Sequence, residues 1–202
     1  MQNIEERINS FSIELDAISK QAKKYLRNDS KIDDSVLNIL HRPWVAKLNW
    51  GLMLYSPAKN NWFSQFESNT KKIIPGFYKS FLQNINGGFI YGMSLYGLPT
   101  SLYTKGTLTR GRLQCHDLTT ANSNWILGYD VNRDLFHFGS RTYTYDENVG
   151  YFFDGEKIMC FRKSGELTNS WNTFEEMLNE EVEILENQML QNVPSDVQLI
   201  LN

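Results

Sequence analysis

The sequence predicts an α+β protein in which an antiparallel β-sheet is packed with helices. Three observations predict it: one-sided apolar periodicity near both ends of the chain, short β-rich segments between them, and turn sequences that join those segments. Strands that are joined by short turns pair antiparallel. The 202 residues suit one domain, or one domain with an appendage, and 27 aromatic residues supply a packed core.

The first part of the chain carries the clearest helical pattern. Over residues 3–27 the apolar residues recur at alternating steps of four and three, at Ile4, Ile8, Phe11, Leu15, Ile18, Ala22 and Tyr25. This spacing predicts one amphipathic helix, whose apolar seam packs either on the rest of this chain or on a partner helix. Acidic residues near its start and basic residues near its end suit the helix dipole. We therefore assign residues 1–55 to an N-terminal helical extension packed on the core.

The next segments predict further helices. The Asp-Asp-Ser sequence at 33–35 can cap a short second helix that ends before His41. Residues 44–55 are apolar with a mixed period, so helix and strand both stay open there. Residues 58–70 predict a third helix. A fourth is expected over 75–85, because proline at its first position suits the first turn of a helix.

Beyond Gly87, which fits a left-handed helix C-cap, the pattern changes to β-structure. The β-rich runs are FIYGMSLYG, SNWILGYDV, DLFHFG, TYTYD, VGYFF and KIMCFRK. Turn sequences at 131–134 and 154–155 separate some of them and predict hairpins. We therefore expect one antiparallel sheet over residues 88–162.

The chain closes with a second strong helical pattern. Over residues 170–191 one helix face collects Phe174, Leu178, Val182, Leu185 and Met189. This helix and the 75–85 helix are expected to flank the sheet. Helices followed by strands and then a helix are typical of an α+β domain, which we place at residues 56–202.

No set of residues has the spacing of a catalytic or metal site. Cys115, His116 and Asp117 are adjacent, whereas a catalytic Cys and His are brought together by the fold. The cysteines and histidines lack the pair spacing of zinc ligands. Aspartate is favoured in turns because its side chain bonds the nearby backbone, which accounts for Asp130, Asp134, Asp146 and Asp154. We expect no enzyme, no metal and no cofactor; a hydrolase that uses these aspartates is the least favoured alternative.

Composition and charge argue against nucleic-acid and membrane partners and favour a cytoplasmic location. The net charge of -3 leaves no basic excess to neutralise phosphates, so no nucleic-acid binding is expected. The chain has no apolar run of about 18 residues, so no membrane segment is expected. Its start lacks the basic and apolar regions of a signal peptide. Two cysteines are too few for a disulfide framework, which indicates a reducing compartment and a cytoplasmic protein.

Two sets of residues are candidates for contact with a protein partner. The segment 175–186 contains six glutamates and no Lys or Arg, and Glu176, Glu180 and Glu183 share one helix face. Such a face is either merely solvated or contacts a basic protein. The second set belongs to the face and rim of the predicted sheet, where aromatic anchors and polar contacts combine: Tyr96, Asp130, Arg133, Asp134 and Tyr143.

Residues 73–99 resemble the start of the SUKH superfamily. The matching elements, in order, are Ile74-Pro75, Tyr78, Phe81-Leu82, Asn86-Gly87-Gly88 and Leu95-Tyr96-Gly97. Further on, WILGYDVNRDLFHF resembles the family hairpin with its Asp-rich turn, and SWNTFEEML resembles the terminal helix. The likeness covers roughly residues 60–185.

The SUKH superfamily includes fungal cell-wall-synthesis regulators and bacterial immunity proteins that neutralise polymorphic toxins. The resemblance implies an antiparallel sheet with helices packed on it and an immunity protein that neutralises a toxin. The glutamate-rich segment 175–186 adds the expectation that the toxin presents a basic surface. A regulatory adaptor that docks on an endogenous protein is the alternative. Residues 1–55 and an inserted loop at 100–124 have no counterpart in the family pattern, and we expect partner specificity there.

Overall fold

The fold is taken from a computed structural model that describes residues 4–47, 49–98, 117–144 and 147–194. In these ranges the helices are α1 (Ile4–Asn9), α2 (Asp16–Lys24), α3 (Asn60–Thr70), α4 (Gly76–Asn84), α5 (Leu118–Ser123) and α6 (Phe174–Gln191), with 3₁₀ turns at Ile13–Leu15 and Trp125–Gly128. None of these helices combines the length and the apolar character needed to cross a bilayer.

Nine strands in the described ranges form one sheet. They are β1 (Lys31–Asp33), β2 (Val36–His41), β3 (Trp50–Tyr55), β4 (Gly88–Ile90), β5 (Met93–Leu95), β6 (Phe136–Thr144), β7 (Glu147–Phe153), β8 (Ile158–Arg162) and β9 (Leu167–Trp171). Their order in the sheet follows their order in the chain, and each pair of neighbours is antiparallel. The predicted α+β class and the antiparallel sheet are confirmed. The sheet extends beyond 88–162 at both ends, since β1–β3 precede that range and β9 follows it.

The predicted helix over 3–27 is interrupted. It consists of α1, the 3₁₀ turn and α2, and the break falls at Ser10–Ser12. The Ser10 hydroxyl donates to the carbonyl of Arg7 at 2.7 Å, and such local bonds compete with the helical ladder. The apolar seam nevertheless packs on this chain, because Ile8, Ile18 and the rest of its buried members belong to the same core as the sheet.

The predicted short helix before His41 is wrong, because that segment forms the β1–β2 hairpin. Asp34 and Ser35 both have positive φ, 44° and 68°, which is the backbone of a two-residue hairpin turn. The buried Arg7 guanidinium donates to the carbonyl oxygens of Ser35 at 3.2 Å and Leu54 at 3.0 Å. Residues 1–55 are therefore not wholly helical, and their strands continue directly into the sheet of the following residues.

Two further strand predictions are corrected. FIYGMSLYG is not one strand but the β4–β5 hairpin, whose turn is Tyr91-Gly92. SNWILGYDV is the end of α5 and the second 3₁₀ turn, so no hairpin joins it to β6 across 131–134. Helix α5 begins after Asp117 because the carboxylate of this residue accepts the Thr119 backbone N–H at 2.8 Å and caps the helix. Of the expected loop at 100–124, residues 100–116 lie outside the described ranges, and the described remainder is mostly helix α5 and not a loop.

The other predicted elements are confirmed. The helices expected over 58–70, 75–85 and 170–191 are α3, α4 and α6, and the turn at 154–155 joins β7 to β8. The predicted C-cap at Gly87 is wrong, because α4 ends with Ile85 in an extended conformation as its C-cap; Gly87 does have a left-handed φ, 84°, but two residues further on. Phe174, the first residue of α6, packs in an aromatic cluster. Its ring centroid lies 5.3–6.0 Å from the ring centroids of four residues: Phe77, Tyr78, Phe81 and Phe138.

Tyr78 fastens α4 to the sheet from inside this aromatic cluster. Its hydroxyl is fully buried and lies 2.6 Å from the carbonyl oxygen of Tyr96 and 2.8 Å from that of Phe138. The Tyr96 carbonyl belongs to the residue directly after β5, and the Phe138 carbonyl lies on β6. One side chain therefore links the helix to two strands. The Phe138 carbonyl also accepts the Tyr96 N–H at 2.9 Å, so the hydroxyl adds a second hydrogen bond to this oxygen.

We predict that Tyr78→Phe lowers the free energy of unfolding by about 1–1.5 kcal/mol, because it removes a buried hydrogen bond that joins α4 to the sheet. Urea denaturation followed by circular dichroism measures the change. The matched control is Tyr129→Phe, at a half-buried tyrosine that contributes ring contacts; we expect a change below about 0.5 kcal/mol there. Equal losses in the two variants would contradict the assigned role.

Candidate functional site

Helix α6 begins with a capping box that already uses one of the predicted site residues. The Thr173 side chain accepts the backbone N–H of Glu176 at 3.1 Å. In return the Glu176 carboxylate accepts the backbone N–H groups of Asn172 at 2.9 Å and Thr173 at 3.3 Å. This reciprocal bonding satisfies donors that a helix start leaves open. Glu176 is therefore exposed but fixed in position.

Glu181, in the middle of α6, is buried and paired. It is 1% exposed, and its carboxylate lies 2.7 Å from Nε and 3.2 Å from Nη2 of Arg141 on β6. The hydroxyl of Tyr151 on β7 donates to the same carboxylate. A buried ion pair needs additional hydrogen bonds to offset the loss of water, and the tyrosine supplies one. Glu181 thereby joins α6 to β6 and β7.

Glu186, one turn further on, joins the same helix to α2. Its carboxylate accepts hydrogen bonds from Gln21 at 2.7 Å, Lys24 at 2.7 Å and Tyr25 at 2.6 Å. Burial acts to raise the pKa of Glu186, but these three hydrogen bonds outweigh it and hold the pKa below its ordinary value. The folded protein therefore favours the ionised form of Glu186.

Two of the three glutamates predicted as a contact face have contacts of their own. Glu180 accepts hydrogen bonds from Trp171 Nε1 at 2.7 Å and Asn169 Nδ2 at 2.8 Å, which tie α6 to β9. Glu176, Glu180 and Glu183 are exposed, and we call these three residues the acidic ridge. In the described part of the chain no Lys or Arg forms an ion pair with any of them.

Of the two tyrosines predicted as aromatic anchors at the sheet rim, the one whose side chain is described is buried. Tyr96 is only 2% exposed, because it packs edge-on against Trp125 and His137, with ring centroids 5.6 Å and 5.1 Å away. Burial raises the pKa of its hydroxyl well above the ordinary value. Tyr96 is a core residue and not an exposed anchor. Tyr143 lies on β6, and its side chain is outside the described residues.

Asp130, Arg133 and Asp134 lie together in one surface segment, residues 125–134, and all three are exposed. The segment is fastened at several points. The Asp130 N–H donates to the carbonyl of Lys163 at 2.9 Å, and the Asp134 N–H donates to the Asn132 side chain at 3.0 Å.

Lys72, from the loop after α3, holds the same segment in place. Its ammonium group donates to the carbonyl oxygens of Arg133 and Leu135, each at 2.7 Å. Trp125 and Leu127, which are 38% and 57% exposed, add apolar surface beside the charges. The sequence gives no signal for the exposure of these two residues, because apolar residues in a predicted strand are expected to be buried.

The residues considered for catalysis are described only in part. Cys115, His116 and Asp146 lie outside the described ranges, while Asp117 caps α5 and also accepts a hydrogen bond from the Thr120 hydroxyl at 2.7 Å. Backbone N–H groups of Lys157 and Glu156 hold the pKa of Asp154 below its ordinary value, as in an Asp-led turn. Within the same ranges no three His, Cys, Asp or Glu side chains are grouped as metal ligands.

Comparison of the chain with models of known protein families gives no match, and comparison with curated proteins gives none either.

We predict that Glu186 makes the stability of the fold pH-dependent. Because its folded pKa is depressed, its contribution is fully present above the unfolded value of about 4.3 and is lost as the pH falls through the folded pKa. Glu186→Gln removes this contribution. The difference in unfolding free energy between wild type and variant should therefore be largest near neutral pH and shrink below about pH 4.3.

Urea denaturation at a series of pH values measures that difference. The matched control is Glu183→Gln, on the exposed side of the same helix, for which we expect a difference below about 0.5 kcal/mol at neutral pH. If Glu186→Gln and Glu183→Gln give parallel curves, the assigned role of Glu186 is wrong.

Proposed function

We propose that this chain is a non-catalytic, protein-binding domain of the SUKH type that acts in the cytoplasm as an immunity protein against a bacterial toxin. The observation that carries the proposal is the acidic ridge. It is an exposed row of carboxylates on a helix whose other face is locked into the core. Since no Lys or Arg of the described chain neutralises the row, its natural complement is a basic surface on another protein.

The ridge is preorganised for binding. The helix cap holds the Glu176 side chain, and Trp171 and Asn169 hold that of Glu180. The helix itself is fixed by the buried hydrogen bonds and ion pairs of Glu181 and Glu186. A surface that is already ordered loses little side-chain freedom when a partner binds. Its charge also raises the rate at which an oppositely charged partner arrives. Rapid capture of a toxin is what an immunity protein requires.

The residues that carry the family resemblance support a scaffold role. Tyr78, Phe81 and Leu82 are buried on one face of α4. The side chain of Asn86 accepts the Leu98 N–H at 2.7 Å and donates to the Leu98 carbonyl at 2.9 Å. A fold whose shared residues build the interior leaves recognition to its exposed faces, as expected when one fold serves many partners.

The two exposed surfaces are assigned different parts of the interaction. The acidic ridge governs association, because charge acts at a distance and mainly alters the on-rate. The segment 125–134 governs dissociation, because Trp125 and Leu127 offer apolar area rimmed by Asp130 and Arg133. The cognate partner is expected from a toxin gene next to the gene for this chain; an endogenous partner instead would favour the regulatory adaptor.

We predict that the triple variant Glu176→Gln, Glu180→Gln, Glu183→Gln slows association with the toxin by about tenfold or more at low salt and flattens its salt dependence. Glutamine keeps an acceptor oxygen for the cap and for Trp171, so the fold is retained. Stopped-flow or surface-based kinetics at several salt concentrations measure the effect. The matched control changes the same number of exposed glutamates elsewhere, Glu6, Glu14 and Glu156, to glutamine. If both triple variants slow association equally, the acidic ridge is not the surface that governs association.

We predict that Trp125→Ala raises the dissociation rate of the same complex by about tenfold or more, as for loss of an aromatic anchor, and leaves the on-rate nearly unchanged. The matched control is Ile13→Ala, at an 87% exposed apolar residue far along the chain. Far-UV circular dichroism shows that both variants are folded. An unchanged dissociation rate in Trp125→Ala excludes the segment 125–134 as the anchor.

A further inference from the structure

A group of basic and aromatic residues surrounds Trp50 at the β1–β3 end of the sheet. We call it the basic cluster, and its members are Lys31, His41, Arg42, Lys47 and Trp50. They belong to β1, to the end of β2, to the loop after β2 and to the start of β3. Residues 35–66 contain no Asp or Glu, so the β2–β3 hairpin carries no negative side chain.

The Trp50 ring holds two of these side chains in position. Lys31 Nζ lies 5.6 Å from the centroid of the Trp50 ring, and the centroid of the His41 ring lies 4.7 Å from it. Asp33 Oδ2 lies 3.7 Å from Lys31 Nζ, so this lysine is already partly neutralised. His41 Nε2 lies 3.0 Å from the carbonyl oxygen of Lys47, which ties the loop to β2. Because two side chains already pack against the indole, Trp50 orders the cluster and is a poor platform for stacking a nucleic-acid base.

Arg42 is half-buried, and among the described residues it has no anionic partner. Its Nε donates to Asn49 Oδ1 at 2.8 Å and its Nη2 donates to the Trp50 carbonyl at 3.4 Å, and both acceptors are neutral. Burial lowers the pKa of Arg42, because its surroundings solvate the charge less well than water does. No carboxylate of the described chain lies within ion-pair distance of Arg42 or of the exposed Lys47. The cluster therefore carries positive charge that the described chain does not neutralise.

The basic cluster is separate from the surfaces assigned to the toxin. The acidic ridge is tied to β9, because Trp171 and Asn169 hydrogen-bond Glu180. The segment 125–134 is fastened beside β8, through the carbonyl of Lys163. In the order of the sheet β3 is the third strand and β9 the ninth, which puts them roughly 29 Å apart at about 4.8 Å per strand interval. A partner at the cluster therefore leaves the toxin surfaces accessible.

We propose that the basic cluster is a second protein-binding surface, whose partner is an acidic peptide segment that places carboxylates on Arg42 and Lys47. A guanidinium has five N–H donors and binds a carboxylate through two parallel N–H groups, so Arg42 has donors beyond those bonded to Asn49 and Trp50. Opposite charge favours such a segment over a neutral or basic one. The inference goes beyond the proposed function and does not rest on it, because it concerns a different surface and a different kind of partner.

Fluorescence anisotropy with a labelled peptide of about six glutamates tests this surface, and the same peptide made of glutamines is the matched control probe. At about 50 mM salt we expect the glutamate peptide to bind at least about tenfold more tightly than the glutamine peptide. At about 500 mM salt its affinity should fall, because exposed charges are screened. Arg42→Gln and Lys47→Gln should each weaken binding by about fivefold or more. The matched control variant is Lys163→Gln, at an exposed lysine beside β8, which should change binding by less than about twofold.

Far-UV circular dichroism shows which variants are folded. Lys47→Gln decides the test if Arg42→Gln does not fold, because the Lys47 side chain is exposed and makes no hydrogen bond within the described chain. Three results would overturn the proposal: equal binding of the two peptides, folded cluster variants that bind as Lys163→Gln does, or tighter binding of a labelled single-stranded RNA of about ten uridines than of the glutamate peptide. The last result would indicate a nucleic-acid surface instead of a protein-binding one.

Discussion

The buried carboxylate of Glu181 determines where α6 sits on the sheet. Arg141 comes from β6 and Tyr151 from β7, and both bond the same carboxylate in a place that water does not reach. A complete buried pair adds little net stability, but removing one partner costs about 3–5 kcal/mol because a charge is left uncompensated. Any other placement of α6 would leave Glu181 or Arg141 in that state. The pair thus specifies the position of the helix.

The rest of the molecule follows from that position. With α6 fixed over β6 and β7, its first residue, Phe174, meets the aromatic side chains of α4, and its last turns reach α2 through Glu186. The N-terminal helices are consequently part of the same core as the sheet. The glutamates that do not face inward form the acidic ridge, so the interior pairing of some carboxylates orients the others toward solvent.

The first 55 residues show how backbone conformation overrides local pattern. The strand Val36–His41 is buried on both faces over its first five residues, and its mostly apolar sequence suits such a strand as well as a helix. The turn at Asp34 and Ser35 decides between them, because two consecutive residues with positive φ reverse the chain within one hairpin. Aspartate and serine form helix caps as readily as turns, so their identity alone did not distinguish the two.

Periodicity and turn chemistry determined the fold class, the helices α3, α4 and α6, and the antiparallel sheet, because these depend on which residues alternate and where the chain reverses. They also placed Glu176, Glu180 and Glu183 on one helix face. Tertiary structure alone decided which glutamates are structural, since Glu181 and Glu186 find their partners on β6, β7 and α2, far away in sequence. It likewise buried Tyr96 and exposed Trp125. A helical wheel shows that Glu181 falls among apolar positions, but only packing brings Arg141 within 2.7 Å of it, and a charge without that partner would not stay buried.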